Sequence, residues 1–90
     1  MKTVYLDNNA TTMVAPEVLD EMLPYFSELY GNPSSMHSFG GQVGLKIREA
    51  RERIAHGLDC EPEEIIFTSC GTESDNAAIH AALAGQPGKL

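Results

Sequence analysis

Residues 67–76 have the clearest capacity for chemistry. An apolar run, 65–68, ends in small hydroxyl residues and a glycine, and a helix is predicted to follow. The first N–H groups of a helix lack partners within it, and the helix dipole places positive charge there. Gly71 lets the backbone approach a ligand closely, and the hydroxyls of Ser69 and Thr72 supply further donors. The pattern indicates a site for a single phosphate, because the dinucleotide and P-loop glycine patterns are both missing.

The same residues also fit an ordinary helix start. Thr72 followed by Asp75 is a variant of the capping box, in which side chains cap the helix without any ligand. On the local pattern alone, capping is favoured over anion binding, and the two roles are compatible. The carboxylates of Glu73 and Asp75 would repel a phosphate unless they face away from it.

Two other segments are rich in small polar residues. Residues 5–12 (Tyr-Leu-Asp-Asn-Asn-Ala-Thr-Thr) have a composition typical of a turn. Residues 30–41 form a long connection of glycine, serine and proline that contains His37. Long loops often carry sites, although most are only connections. Asn8, Asn9 and His37 are therefore candidates for lining a substrate approach, without an assigned contact.

Hydrophobic periodicity predicts the elements that position these residues. In chain order we expect an N-terminal extended segment, two helices, a strand and a third helix: 3–7, 16–30, 39–56, 64–69 and 72–84. Pro24 lies inside the first helix and predicts a kink or break near Leu23. A turn at 85–88 is expected to end the last helix.

The helix predicted at 39–56 is amphipathic. Gly57 is its expected stop. Two ion pairs spaced four residues apart are expected on its solvated side, Arg48 with Glu52 and Glu49 with Arg53.

The strand predicted at 64–69 is apolar without alternation, as in a strand covered on both faces. Such a strand needs partners on both edges, and only the short N-terminal segment could supply one. We therefore expect the chain to be the opening portion of a larger α/β protein, in preference to a self-contained domain of ninety residues.

Composition excludes several classes of protein. The chain is 42% apolar and 21% charged, as in ordinary globular domains. A net charge of -7, without a basic patch, disfavours nucleic-acid binding. No apolar run suits a membrane span or a signal peptide, so we expect a cytoplasmic protein without a membrane partner. Cys60 and Cys70 lack disulfide or metal-ligand spacing, so we expect reduced thiols and no metal site. Cys70 is expected to be a small buried residue with a structural role.

In this order and at this spacing, three segments resemble the start of the pyridoxal-phosphate cysteine desulfurases, in the class V aminotransferase group of fold type I. They are residues 5–12, residues 30–38 (Tyr-Gly-Asn-Pro-Ser-Ser-Met-His-Ser) and residues 67–76 (Phe-Thr-Ser-Cys-Gly-Thr-Glu-Ser-Asp-Asn). The likeness extends over essentially the whole chain. Cysteine at position 70, where many relatives carry glycine, is most similar to the nitrogen-fixation branch.

The resemblance implies a fold and a domain organisation. Members are homodimers several times this length, with a large domain around a mostly parallel sheet and a small domain built from both chain ends. Residues 1–60 would contribute to the small domain and the active-site approach. Residues 61–90 would begin the large domain, with its first strand and phosphate-binding helix. Gly71 and Thr72 match the family motif and would hold pyridoxal 5′-phosphate through backbone N–H groups and the Thr72 hydroxyl.

The reaction implied by the resemblance is removal of sulfur from L-cysteine, giving L-alanine and an enzyme-bound persulfide. The persulfide then passes to a scaffold protein for iron–sulfur cluster assembly. The family's Schiff-base lysine and persulfide cysteine match motifs that these residues lack, so no catalytic residue is assigned and the segment alone is expected to be inactive. Lys46 and Lys89 are expected to be surface lysines. The alternatives are another fold type I enzyme, such as an aminotransferase or a selenocysteine lyase, and a complete, non-enzymatic acidic helical module.

Overall fold

The computed structural model describes residues 1–86, in which helices are the regular elements. They are α1 (Pro16–Met22), α2 (Pro24–Ser27), α3 (Ser38–Leu58) and α4 (Gly71–Ala84), with a 3₁₀ turn at Pro62–Glu64. The chain divides into two compact units, Met1–Ala50 and Arg51–Leu90. Residues 87 and 88 of the predicted final turn, and Lys89, lie outside the described residues. Within 1–86, no helix is both long enough and apolar enough to cross a membrane.

The first predicted helix is interrupted where Pro24 indicates. α1 ends at Met22, and α2 begins at Pro24, whose nitrogen carries no hydrogen to continue the helical bonding. Both helices start with proline, at a position where a missing N–H has no cost. The predicted end at Tyr30 is wrong, because α2 closes at Ser27.

α3 begins with a histidine cap. The N–H of Gly40 donates to His37 Nδ1 at 3.1 Å, and the N–H of Gly41 donates to the His37 carbonyl at 3.0 Å. The side-chain bond satisfies one of the first N–H groups of the helix, as serine or aspartate does at other helix starts. His37 therefore has a local structural role that the sequence did not reveal.

The end of α3 differs from the prediction. The helix continues past Gly57 to Leu58, and Asp59 then adopts a left-handed conformation with φ of 55°. The N–H of Cys60 donates to the Ala55 carbonyl at 3.0 Å and that of Asp59 to the His56 carbonyl at 3.3 Å. This pair of bonds is a Schellman motif, which closes the helix with an aspartate where glycine is more common.

The ion pairs predicted along α3 are not those that form. Within the described residues, the pair on this helix joins Lys46 Nζ to Glu49 Oε2 at 3.1 Å, with both side chains about half exposed. Exposed pairs one turn apart have similar, small energies, so sequence spacing alone does not select among them. Lys46 is a surface lysine, as expected.

α3 contributes one buried apolar residue to each unit. Val43 is 7% exposed in the first unit and Ala55 is 1% exposed in the second. Ile47 and Arg51 are half-buried and lie between them at spacings of four residues. This stripe follows one face of the helix.

The strand predicted at 64–69 is wrong for this chain, because residues 1–86 contain no paired strand. Glu64 belongs to the 3₁₀ turn, where its carboxylate accepts the Glu61 N–H at 2.8 Å. Residues 65–68, called the extended segment below, continue from Ile65 with φ of -90° and ψ of 124° but form no ladder. A strand requires a neighbouring strand to pair with its backbone, and this part of the chain supplies none, residues 3–7 included.

The loop before α3 packs closely on the first turn of that helix. Gly40 is buried, and a Cβ added to it would collide with the Asn32 carbonyl oxygen and lie 3.0 Å from Ser35 Cβ. The N–H of Ser35 also donates to that Asn32 carbonyl at 3.0 Å. The close approach leaves no room for a side chain at position 40.

The ends of this loop are also in contact. The rings of Tyr30 and Phe39 lie edge to face, with centroids 5.0 Å apart and an interplanar angle of 70°. A Cβ on Gly31 would lie 2.7 Å from the Phe39 carbonyl oxygen, so glycine is required there as well. Aromatic contacts of this kind add about 0.5–1.5 kcal/mol beyond their buried area.

Two adjacent glycines in the first turn of α3, Gly40 and Gly41, provide a matched test of this packing. We expect Gly40→Ala to lower the free energy of unfolding of the full-length parent protein by about 1–3 kcal/mol, because the Asn32 carbonyl must move. Gly41→Ala is the control, since a Cβ there meets nothing within 4 Å. It should be neutral or stabilise the helix by up to about 1 kcal/mol. Equal denaturant midpoints for the two variants would contradict this packing.

Candidate anion-binding site

The candidate site is the first turn of α4. Cys70 precedes the helix in an extended conformation, and the first intrahelical bond joins the Ser74 N–H to the Cys70 carbonyl at 3.1 Å. The N–H groups of Gly71, Thr72 and Glu73 therefore have no acceptor within the helix. Together with the helix dipole they make this turn electropositive.

The prediction that Thr72 caps α4 is wrong. α4 begins at Gly71, so Cys70 holds the N-cap position, without a side-chain cap bond. Glu73 instead bonds back to the residue before the N-cap. Its Oε2 accepts hydrogen bonds from the Ser69 N–H, at 2.8 Å, and from the Ser69 hydroxyl. The Ser69 hydroxyl, predicted as a phosphate donor, is thus already engaged with a carboxylate.

The bonds from Ser69 lower the pKa of the Glu73 carboxyl below its ordinary value, the hydroxyl having the larger effect and the backbone N–H the smaller. A lowered pKa means that folding favours the charged carboxylate. Its contribution to stability is therefore present above the ordinary pKa of glutamate and is lost as the pH falls through the lowered value. Glu73 keeps its negative charge beside the site at neutral pH.

The Cys70 thiol is exposed, so the prediction of a small buried residue is wrong. The N–H of Glu73 lowers the pKa of Cys70 most, and the Ser69 hydroxyl is next. Desolvation raises that pKa by more than either Thr72 group lowers it, and the N–H and hydroxyl of Thr72 add the smallest lowering effects. A thiolate at a helix N-terminus is stabilised by the same donors that an external anion would use.

Hydroxyl groups join the extended segment to this turn. Thr68 Oγ1 lies 2.5 Å from Ser74 Oγ and 3.2 Å from the Cys70 carbonyl oxygen. The Ser74 hydroxyl lies 3.3 Å from the same oxygen. The end of the extended segment and the first turn of α4 are therefore held together by side chains.

The residues present fit a phosphate group. A Cβ on Gly71 would meet nothing within 4 Å, so this side of the helix start is open. The N–H groups of Gly71 and Thr72 and the Thr72 hydroxyl are the donors suited to a dianion. The Glu73 carboxylate, which Ser69 holds in its charged form, opposes an anion electrostatically.

The other predicted site residues lie in the first unit. Asn8 and Asn9 are in a turn, as expected, in which the Ala10 N–H donates to the Asp7 carbonyl at 3.1 Å. His37 caps α3. Among residues 1–86, no three metal-ligating side chains come together as a possible metal site.

Sequence reasoning missed Arg51. Its guanidinium donates to the Ile65 carbonyl oxygen and lies over the Phe67 ring, with Cζ 4.7 Å from the centroid. The sequence did contain a signal for it. Every fourth residue from Val43 to Ala55 is apolar except Arg51, so this charged side chain shares a helix face with apolar ones.

Comparison with known proteins identifies the family. The model of the family described as aminotransferase class-V matches residues 4–89. The chain belongs to this family. It is 65% identical over 89 residues to "Cysteine desulfurase 2" of Trichormus variabilis, an alignment covering 99% of this chain and 22% of the relative. It is 57% identical over 88 residues to "Cysteine desulfurase NifS" of Azotobacter vinelandii. That alignment covers 97% of this chain and 22% of the relative.

A solved structure gives the same relationship for this class V chain. "NIFS-LIKE PROTEIN" matches with a TM-score of 0.80 and 45% identity, over 86% of this chain and 21% of that one. The match confirms the expected fold class, the N-terminal portion of an α/β fold type I transferase, and the expected resemblance to the nitrogen-fixation desulfurases. The chain spans about a fifth of the length of the curated relatives that it matches.

The donors around Cys70 make its reactivity predictable. We expect the rate of Cys70 alkylation in the full-length parent, followed against pH by peptide mass spectrometry, to show a midpoint below that of an ordinary thiol. Ser69→Ala should raise the midpoint, because it removes a hydroxyl 3.7 Å from Sγ whose single hydrogen is shared between the thiolate and the Glu73 carboxylate. Ser34→Ala is the control and should leave the midpoint unchanged, since Ser34 lies in the exposed loop before α3, in the unit that does not contain Cys70. An unchanged midpoint in Ser69→Ala would contradict the assigned cause.

Proposed function

We propose that this chain is part of a pyridoxal-phosphate-dependent cysteine desulfurase and holds the phosphate of the cofactor. The observation that carries the proposal is the set of relatives bearing the name cysteine desulfurase, from 65% to 52% identical along nearly the whole chain. Such identity along nearly the whole chain favours desulfurase over aminotransferase or selenocysteine lyase among class V activities.

In this proposal Gly71 and Thr72 bind the phosphate, through both backbone N–H groups and the Thr72 hydroxyl. The support is the open, electropositive first turn of α4, where three N–H groups lack helical acceptors. When bound, the cofactor supplies an electron sink for bonds broken at an amino acid. The contribution of these residues is to fix that group in place, since the catalytic side chains are expected elsewhere in the parent protein.

The proposed reaction transfers sulfur from L-cysteine to an enzyme thiol. The C–S bond of cysteine breaks, an S–S bond forms on the enzyme, and the remaining carbon skeleton leaves as L-alanine, so that one cysteine and one thiol give one alanine and one persulfide. We propose that an iron–sulfur scaffold protein receives the sulfur and that the parent is a cytoplasmic homodimer. Residues 1–60 are assigned to its small domain and residues 61–90 to the start of its large domain.

The activity is tested with the purified full-length parent loaded with cofactor. We expect L-cysteine with a thiol reductant to give sulfide and L-alanine in equal amounts. Incubation with a 2-oxo acid and an amino donor tests the aminotransferase alternative, and L-selenocysteine tests the lyase alternative. Turnover of either alternative substrate, without sulfide release from cysteine, would reject the proposed function.

The assignment of Thr72 predicts a specific loss. Thr72→Ala should weaken cofactor binding by the full-length apoprotein by roughly tenfold to a hundredfold, which corresponds to one charge-assisted hydrogen bond of about 1.5–3 kcal/mol. Thr72→Ser keeps the hydroxyl and is the matched control, with an affinity close to that of the unmodified protein. Absorbance titration with pyridoxal phosphate measures both variants, and equal affinity for them would remove the hydroxyl from the site.

A further inference from the structure

We infer that Arg51 is a positioning residue for the anion site: it holds the extended segment, 65–68, and thereby fixes the first turn of α4. The inference rests on the proposed cofactor role of that turn. It assigns a purpose to an arginine of α3 that touches none of the proposed phosphate donors.

Arg51 makes two different contacts with the extended segment. Its guanidinium donates to the carbonyl oxygen of Ile65, and its Cζ lies 4.7 Å from the centroid of the Phe67 ring. The two contacts are therefore of different kinds, one with the backbone at position 65 and one with the side chain at position 67. Ile66, between them, is 80% exposed and provides no anchor.

The extended segment needs such an anchor. Within residues 1–86 its backbone pairs with no strand, so its position depends on side-chain contacts. Arg51 holds its beginning, and Thr68 joins its end to Ser74 and the Cys70 carbonyl in the first turn of α4. A continuous series of contacts therefore runs from α3 to the N–H groups proposed to bind phosphate.

The chemistry of the side chain suits this role. Arg51 is half-buried and makes no ion pair among the described residues. Its guanidinium is therefore available to donate to the backbone carbonyl of Ile65. A guanidinium is planar and can stack on an aromatic face while donating in its own plane. Lysine keeps the charge but not the planar geometry, so Arg51→Lys should replace it only in part.

The test uses the full-length parent with Arg51→Met, Arg51→Lys and the control Arg53→Met, because Arg53 is an exposed arginine on the same helix. The first readout is hydrogen exchange of the apoprotein at the Ser69 and Ser74 amides, which donate to Glu73 and Cys70. The second is the dissociation constant of pyridoxal phosphate. We expect Arg51→Met to raise both by roughly tenfold, Arg51→Lys to have an intermediate effect and Arg53→Met to have none.

The two readouts separate failure of this inference from failure of the proposed function. If exchange at Ser69 and Ser74 is the same in Arg51→Met as in Arg53→Met, Arg51 does not position the turn and the inference is overturned. Faster exchange with unchanged cofactor affinity also overturns it, while the proposed function stands. If the unmodified parent binds no pyridoxal phosphate, the proposed function fails together with the cofactor part of the inference.

Discussion

The constraint on which this structure depends is the need to satisfy three backbone N–H groups at the start of α4. The N–H groups of Gly71, Thr72 and Glu73 have no acceptor within the helix and need acceptors from outside it. The Glu73 carboxylate accepts the N–H of Ser69, just before the helix, whereas the Cys70 side chain makes no cap bond to the three N–H groups. An anion bound at this turn would lie beside the Cys70 thiol and the Glu73 carboxylate. The open position at Gly71 is where an external group meets the least competition.

Local patterns predicted the helices because helical bonding is local. Periodicity found α3 and α4 to within about two residues, and Pro24 marked the interruption between α1 and α2. The strand at 64–69 failed for the opposite reason, since strand pairing depends on distant segments. The N-cap residues of two helices were also not predicted. Cys70, and not Thr72, precedes α4, and His37 caps α3. Gly71 and Thr72 could be proposed as phosphate donors from sequence because a glycine turn before a helix is a local pattern; their phosphate contact stays a prediction.

Side-chain burial shows how little of the stability originates in the described residues. Val43 and Ala55 are the buried apolar residues of 1–86, whereas residues as large as Phe26, Ile66 and Phe67 are exposed. Burying one large aliphatic side chain contributes about 1.5–3 kcal/mol, and ordering one residue costs about 1–2 kcal/mol. Two small buried side chains cannot offset that cost over four helices. The relatives, of which this chain matches about a fifth, carry the additional sequence that could cover these faces.

The contact between Tyr30 and Phe39 has a consequence for the side chains that lie between them. The two rings close the neck of a short loop whose outer residues, Pro33, Ser34 and Met36, are exposed. A loop with a closed neck is an Ω loop, and its two flanking segments keep their course regardless of its outermost side chains. The exposed side chains at its tip are therefore available to contact other parts of the parent protein without moving the first turn of α3.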